Sequence, residues 1–211
     1  MRVYSTLTVL TEPALDTAAT RAAATGDTAR RAMIDSQLRP SGVNDPAVLA
    51  AFNRVRREDF VPEAARGVAY MDRAVSLGSG RVLAPPLSHG QMLTEAAPTP
   101  SDRALLVEGG SGYLAALVAP LVGSLETIAP GETPQGGDYT LLLIDGAIEH
   151  LPEALAARLN DGGRVVTGLI ERGVPRLATG RKAAGGVGFL TLSEADFAPL
   201  PEYALPSKWS F

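Results

Sequence analysis

The sequence predicts an α/β protein with a mostly parallel sheet and an antiparallel edge, on three observations. Apolar, strand-like runs at Arg103–Val107, Tyr139–Ile144 and Arg164–Leu169 alternate with helix-forming stretches, the pattern of parallel strands joined by crossover helices. The first run breaks into Glu108, Gly109, Gly110, Ser111 and Gly112, then resumes as the helix-forming segment YLAALVA. A strand, a tight turn and a helix start follow, with glycines free to take positive φ and helix N–H groups unpaired at the turn, as in nucleotide-binding loops. Finally, strand-like pieces near Gly188–Leu192 and Leu200–Leu205 follow one another with no helix between them, and LATGRKAAGG is a hairpin candidate. Consecutive strands of that kind form an antiparallel edge.

Composition sets the outer bounds. The chain has 211 residues, 45% hydrophobic and 20% charged, enough for one substantial core in an ordinary globular protein. A net charge of −4 provides no global basic excess to attract nucleic acid or anionic membrane. There is no cysteine and there are two histidines, His89 and His150, which excludes thiolate chemistry and a histidine-rich metal centre and agrees with a reducing, cytoplasmic location. The N-terminal run TLTVL is cut short by Thr11, Glu12 and Pro13, too early for an export signal, and no apolar run reaches the ~18 residues of a membrane span.

Along the chain, TARRAMIDSQL places Ala29, Met33, Ile34 and Leu38 on one face of a helix, with Arg30 and Arg31 on the opposite, solvated side. Asn44 or Asp45 before Pro46 is an N-cap for a second helix carrying Val48, Leu49, Phe52 and Val55. Phe60 and Val61 are core anchors, and Pro62 opens a short helix ended near Gly67. Gly78, Ser79 and Gly80, followed by Arg81, read as a turn between two short strands, with substrate binding as the alternative. His89, in the next helix, reads as an exposed or capping histidine. Tyr139–Ile144 ends in Asp145 and Gly146, which puts an acid and a glycine at the strand edge where open α/β sheets bind ligands. A helix over Glu153–Leu159 and a turn over Asn160–Gly163 lead into the next strand. The resulting division is a helical lobe with an acceptor-like loop over 1–97 and an α/β core over 98–211, packed as one unit.

Five stretches in this order resemble the protein-L-isoaspartate O-methyltransferase family: MIDSQLRPSGVNDPAVLAAF, RREDFVPEAARGVAYMDRAVSLGSGRVLAPP, VEGGSGYLAALVA, YTLLLIDGAIEHLPEAL and LNDGGRVVTGL. The resemblance implies a seven-stranded methyltransferase sheet and S-adenosylmethionine as cofactor. It further implies carboxyl methyl transfer to isoaspartyl residues of a damaged protein or peptide. It assigns Glu108, Gly109, Gly110, Ser111, Gly112, Tyr113, Asp145 and Gly146 to the donor site, Asp145 to catalysis, and Ser79, Gly80 and Arg81 to the acceptor.

The chain also departs from the family's pattern. Leu106 stands in the acidic place and Glu108 in that of the first glycine, where a side chain could fill the donor pocket. Ala129 stands where an acid binds the ribose. Only the turn-rich APGETPQGGD separates Ser124–Ile128 from Tyr139, short for a parallel crossover, so Ser124–Ile128 is expected to be irregular and one pocket wall absent. Val82 and Ala84 replace the acceptor loop's hydroxyls. The alternative function is therefore a non-catalytic member that uses the fold for binding or assembly. In either case a shortened sheet edge suits a homodimer.

Overall fold

A computed structural model describes residues 25–206. The TLTVL run and the beginning of the alanine-rich segment, through residue 24, lie outside the described residues. Helix α1 (25–33) continues into a π turn, Ile34–Leu38, and a 3₁₀ turn, Arg39–Ser41, stopped by Gly42 at φ 91°. Met33, Ile34 and Leu38 are buried as their spacing requires. Arg30 is not on a solvated face: its guanidinium is nearly buried and reaches Asp27 at 2.6 Å and the Tyr70 hydroxyl at 3.5 Å. Asp45 is the cap of α2 (Pro46–Arg54), accepting from the N–H groups of Ala47 and Val48 at 2.8 and 2.9 Å. A 3₁₀ turn, Arg57–Phe60, leads to a second one, Glu63–Val68, then to a hairpin of β1 (Val75–Gly78) and β2 (Arg81–Leu83), and then to α3 (Pro86–Ala96).

The main sheet has the order β4-β3-β5-β6-β7-β8, with β3 (Arg103–Val107), β4 (Ser124–Ile128), β5 (Tyr139–Ile148), β6 (Leu159–Glu171), β7 (Val174–Ala183) and β8 (Gly186–Glu194). The first four are parallel and the last two add an antiparallel meander. The described residues thus form six strands in this sheet instead of the seven that the family pattern implies. Asn160–Gly163, expected as a turn, begins β6, and the helix before it, α5, is only Glu153–Ala156.

Contrary to expectation, β4 is regular. It pairs with β3 from Arg103↔Ser124 to Val107↔Ile128. The return path explains how: a five-residue strand is ~17 Å long and two strand spacings add ~10 Å sideways, a gap that ten extended residues span easily without a helix. Glu126 fastens this link, its carboxylate accepting from the N–H of Gln135 (2.7 Å), the N–H of Gly136 (3.1 Å) and the Tyr139 hydroxyl. The tyrosine bond holds the Glu126 carboxyl below its usual range.

The expected strand Leu200–Leu205 is also corrected. Pro199 and Pro201 have no N–H to give a ladder, so the segment makes one bridge, Ala147↔Pro199, and then a 3₁₀ turn, Pro201–Tyr203. It lies across the end of β5 through Ala147 N–H to Ala198 O and Leu200 N–H to Ala147 O, both 2.8 Å.

Alternation along the strands divides the core. Leu106, Leu141 and Leu143 face the helical lobe, while Leu105, Val107, Leu142 and Ile144 face Leu155, Leu200 and Tyr203. At the opposite end of the sheet, buried Asp102 accepts from Thr99 (N–H 2.8 Å, hydroxyl 2.9 Å), Thr140 (2.7 Å) and Arg164 (2.8 Å). Burial pushes its carboxyl up, but the bonds from Thr140, Thr99 and Arg164 outweigh burial and hold it below the ordinary value of 3.8. The carboxylate therefore stabilises the fold fully above about pH 4, and the contribution is lost as pH falls through the lowered value. Asp102→Ala is expected to cost about 3 kcal/mol in urea unfolding at pH 7, with the deficit narrowing as the titration is repeated towards pH 2.

Candidate functional site

The site is built at the carboxyl ends of β3 and β5. Beyond Val107, the Glu108 N–H stays on the β4 ladder through Ile128 O at 2.9 Å, and the chain then turns through Gly109–Gly112 into α4 (Tyr113–Val118). Gly110 and Gly112 hold φ of 115° and 76°, a region that only glycine enters freely. Gly109 lies directly on β5, where a Cβ would collide with the Asp145 carbonyl and stand 3.4 Å from Asp145 Oδ2. Gly146, the next residue of β5, is packed beneath Leu200. The residues that the resemblance assigns to the donor, Glu108 to Tyr113, Asp145 and Gly146, lie together at this edge of the sheet.

Glu108 turns its carboxylate back over the turn. It accepts from Gly112 N–H (3.1 Å), Ala115 N–H (3.3 Å) and the Ser111 hydroxyl (3.4 Å), thereby capping α4 with the chain's own anion. Burial, and after it the neighbouring Asp145 carboxylate, pushes the Glu108 carboxyl above its ordinary value of 4.5. Glu126 is engaged with the 135–139 link and takes no part in the turn.

Of the acceptor candidates, Ser79 and Gly80 form the exposed tip of the β1–β2 hairpin, where φ is positive at Gly78, Ser79 and Gly80. Arg81 instead reaches the Gly109–Gly112 turn. Its Nη1 is 3.4 Å from Gly109 O, a bond at the long limit, and its Nη2 is 3.6 Å from Glu202.

Two further buried residues adjoin the turn. His89 is not exposed: it is fully buried, with Nε2 2.8 Å from Asp145 Oδ1. Arg57 is fully buried too, donating from Nε to Ala69 O and from Nη2 to Ala84 O, both 2.6 Å, with its guanidinium 4.9 Å from the centre of the Tyr113 ring. Burial lowers its pKa. Tyr113 points inward, meets Phe60 and Phe52 edge-on, and has a hydroxyl that burial pushes far up. The RREDFVP stretch was a visible signal for Arg57, whereas a lone histidine whose partner is 56 residues away had none.

A glycine turn at the end of the first parallel strand, faced by an acid at the end of the next, on a sheet with an antiparallel edge, defines a Rossmann-like methyltransferase fold. Solved structures agree. A Plasmodium falciparum chain described as a protein-L-isoaspartate O-methyltransferase, in complex with S-adenosyl-L-homocysteine, superimposes with a TM-score of 0.67 at 18% identity, covering 84% of this chain and 98% of that one. A second structure of a protein-L-isoaspartate O-methyltransferase gives 0.68 at 17% identity, covering 83% and 67%. Residues 28–130 match the family model of protein-L-isoaspartate(D-aspartate) O-methyltransferase (PCMT). The protein-L-isoaspartate O-methyltransferase of Herpetosiphon aurantiacus is 30% identical over 81% of this chain and 89% of its own length, and protein-L-isoaspartate O-methyltransferase 2 of an Anaeromyxobacter species is 32% identical over 67% and 70%. The chain belongs to the protein-L-isoaspartate O-methyltransferase family.

The raised Glu108 carboxyl has the opposite linkage to Asp102. Its charged form is disfavoured by folding, so the penalty is absent below pH 4.5 and complete once pH exceeds the raised value. Glu108→Gln keeps an oxygen to accept from Gly112 and removes the charge. It is expected to be more stable than the parent at pH 8, with an advantage in thermal unfolding that disappears towards pH 4.

Proposed function

We propose that this protein is a protein-L-isoaspartate O-methyltransferase-like enzyme that uses S-adenosylmethionine to methylate the carboxyl group of isoaspartyl residues in damaged proteins or peptides. The observation that carries the reading is the glycine turn, Gly109–Gly112, lying on Asp145 at the carboxyl side of the sheet. The residues fit the methionine half of the cofactor. Only Phe60 approaches within 4 Å of where a Gly112 side chain would begin, whereas the Arg81 side chain lies across Gly110 with its Cδ 2.9 Å from where a Cβ would stand, so the backbone open to a ligand is at Gly112. The cofactor, when bound, supplies an electrophilic methyl group on a sulfonium centre. The acceptor carboxylate is already an anion, so the protein needs no general base and acts by holding the two reactants in line. Gly109–Gly112 and Asp145 would hold the donor, and Arg81 offers a cation for pairing with an acceptor carboxylate from the hairpin side.

A specific observation favours a second, non-catalytic reading. The Glu108 carboxylate takes the N–H groups of Gly112 and Ala115 that an anionic ligand group would otherwise meet. In that reading the fold serves binding or assembly. Under both we infer a homodimer, because β4 has no strand on its outer side among the described residues. No described helix is long and apolar enough to cross a membrane, and a cytoplasmic location belongs to this proposal.

Calorimetric titration with S-adenosylmethionine and S-adenosylhomocysteine separates the readings: heat with a saturable isotherm supports the enzyme, and no heat at millimolar ligand supports the non-catalytic member. Glu108→Gly frees the capped N–H groups and is expected to tighten binding about tenfold while costing about 1 kcal/mol of stability through loss of the cap. Light scattering is expected to give twice the 21.9 kDa chain mass.

A further inference from the structure

We infer that His89 is a positioning residue that fixes Asp145 beneath the donor turn and directs one carboxylate oxygen at Gly109. The geometry is specific. Asp145 as a carboxylate can only accept, so the proton in the 2.8 Å contact with Oδ1 belongs to His89 Nε2. With Oδ1 held, Oδ2 is the oxygen that faces the turn, 3.4 Å from where a Cβ on Gly109 would stand. His89 also leans on the other end of the turn. Its ring is 5.7 Å from that of Tyr113, the first residue of α4, at a tilt of 42°. Tyr113 is in turn braced by Arg57, whose guanidinium lies 4.9 Å from its ring centre. One buried imidazole therefore fastens both the strand end opposite the turn and the helix start that leaves it.

His89 also carries this contact to the acceptor side. It stands in α3, which is separated from the end of β2 by Ala84 and Pro85, and Arg57 holds the Ala84 carbonyl at 2.6 Å. A fixed, buried carboxylate oxygen beside Gly109 favours a cationic group on whatever binds the turn. On the reading given under Proposed function, that is the donor, whose sulfonium is lost when the thioether product forms.

The test uses the full chain and three variants. Gln at position 89 can place an amide N–H where Nε2 was, Asn places it where Nδ1 was, and Leu removes it. Without ligand, amide exchange at Glu108, Gly112 and Tyr113 is expected to accelerate about tenfold in His89→Leu and His89→Asn and to stay near the parent rate in His89→Gln, with exchange in β6 and β7 unchanged. With ligand, the preference for S-adenosylmethionine over S-adenosylhomocysteine is expected to fall about tenfold in His89→Leu and His89→Asn and to be retained in His89→Gln. Unaltered exchange at the turn in His89→Leu, or equal behaviour of the Asn and Gln variants, overturns the inference. Should His89→Leu not fold, the Asn and Gln pair decides it alone. Failure of the parent to bind either ligand overturns the proposed function instead, and the ligand-free exchange still decides the role of His89.

Discussion

The contact between Gly109 and the Asp145 carbonyl is the constraint on which the site depends. β3 ends at Val107 opposite Ile144 while β5 runs on to Ile148, and the chain leaving β3 turns so tightly over β5 that no side chain fits between them. Gly110 and Gly112 then carry the backbone through left-handed conformations into α4. A β-carbon at Gly109 would lift the turn off the sheet and, with it, Glu108, the start of α4 and the inward placing of Tyr113. The bareness of this turn is thus a packing requirement as well as an opportunity for a ligand.

Beneath the turn lies a buried polar layer, unusual for a core. Arg57, His89, Tyr113 and Asp145 are nearly or fully buried, with Arg57 bonded to the carbonyls of Ala69 and Ala84, Asp145 to His89, and Tyr113 against the rings of Phe52 and Phe60 and the guanidinium of Arg57. Arg57 Nη1, His89 Nδ1 and the Tyr113 hydroxyl have no hydrogen-bond partner among the described residues. Such groups are costly to bury unpaired, so their pairing fixes where the helical lobe, the hairpin and the sheet meet. Glu108 adds one more carboxylate at the rim of this layer, in the place of a family glycine. Its bonds to Gly112 and Ala115 tie the turn to the start of α4 and occupy those two N–H groups.

Much of the architecture was legible because it rests on local periodicity. The alternation of Leu105, Leu106, Val107 and of Leu141 to Ile144 between the two core layers follows from the strand repeat, and Asp45 before Pro46 announced α2. The readings that failed involve partners distant in sequence. Ser124–Ile128 looked irregular because the link to β5 is short, yet Glu126 folds that link back onto its own strand and Tyr139. Leu200–Leu205 has the apolar pattern of a strand, but the prolines deny it a ladder and β5 takes it as a single bridge. Arg30 had the position of a solvated residue on its helix, and Tyr70, forty residues on, covers it.

The fold class, the glycine turn, the acid following the apolar run of β5 and the family are all written in short runs of residues, because the spacing within each run carries the physical reason. Tertiary structure alone decided what the side chains at that turn do. It seated Glu108 on α4, swung Arg81 from the hairpin to Gly109, and buried His89 against Asp145. Those outcomes depend on how three separate elements converge at one edge of the sheet, and distances across such a convergence have no counterpart in the order of residues along the chain.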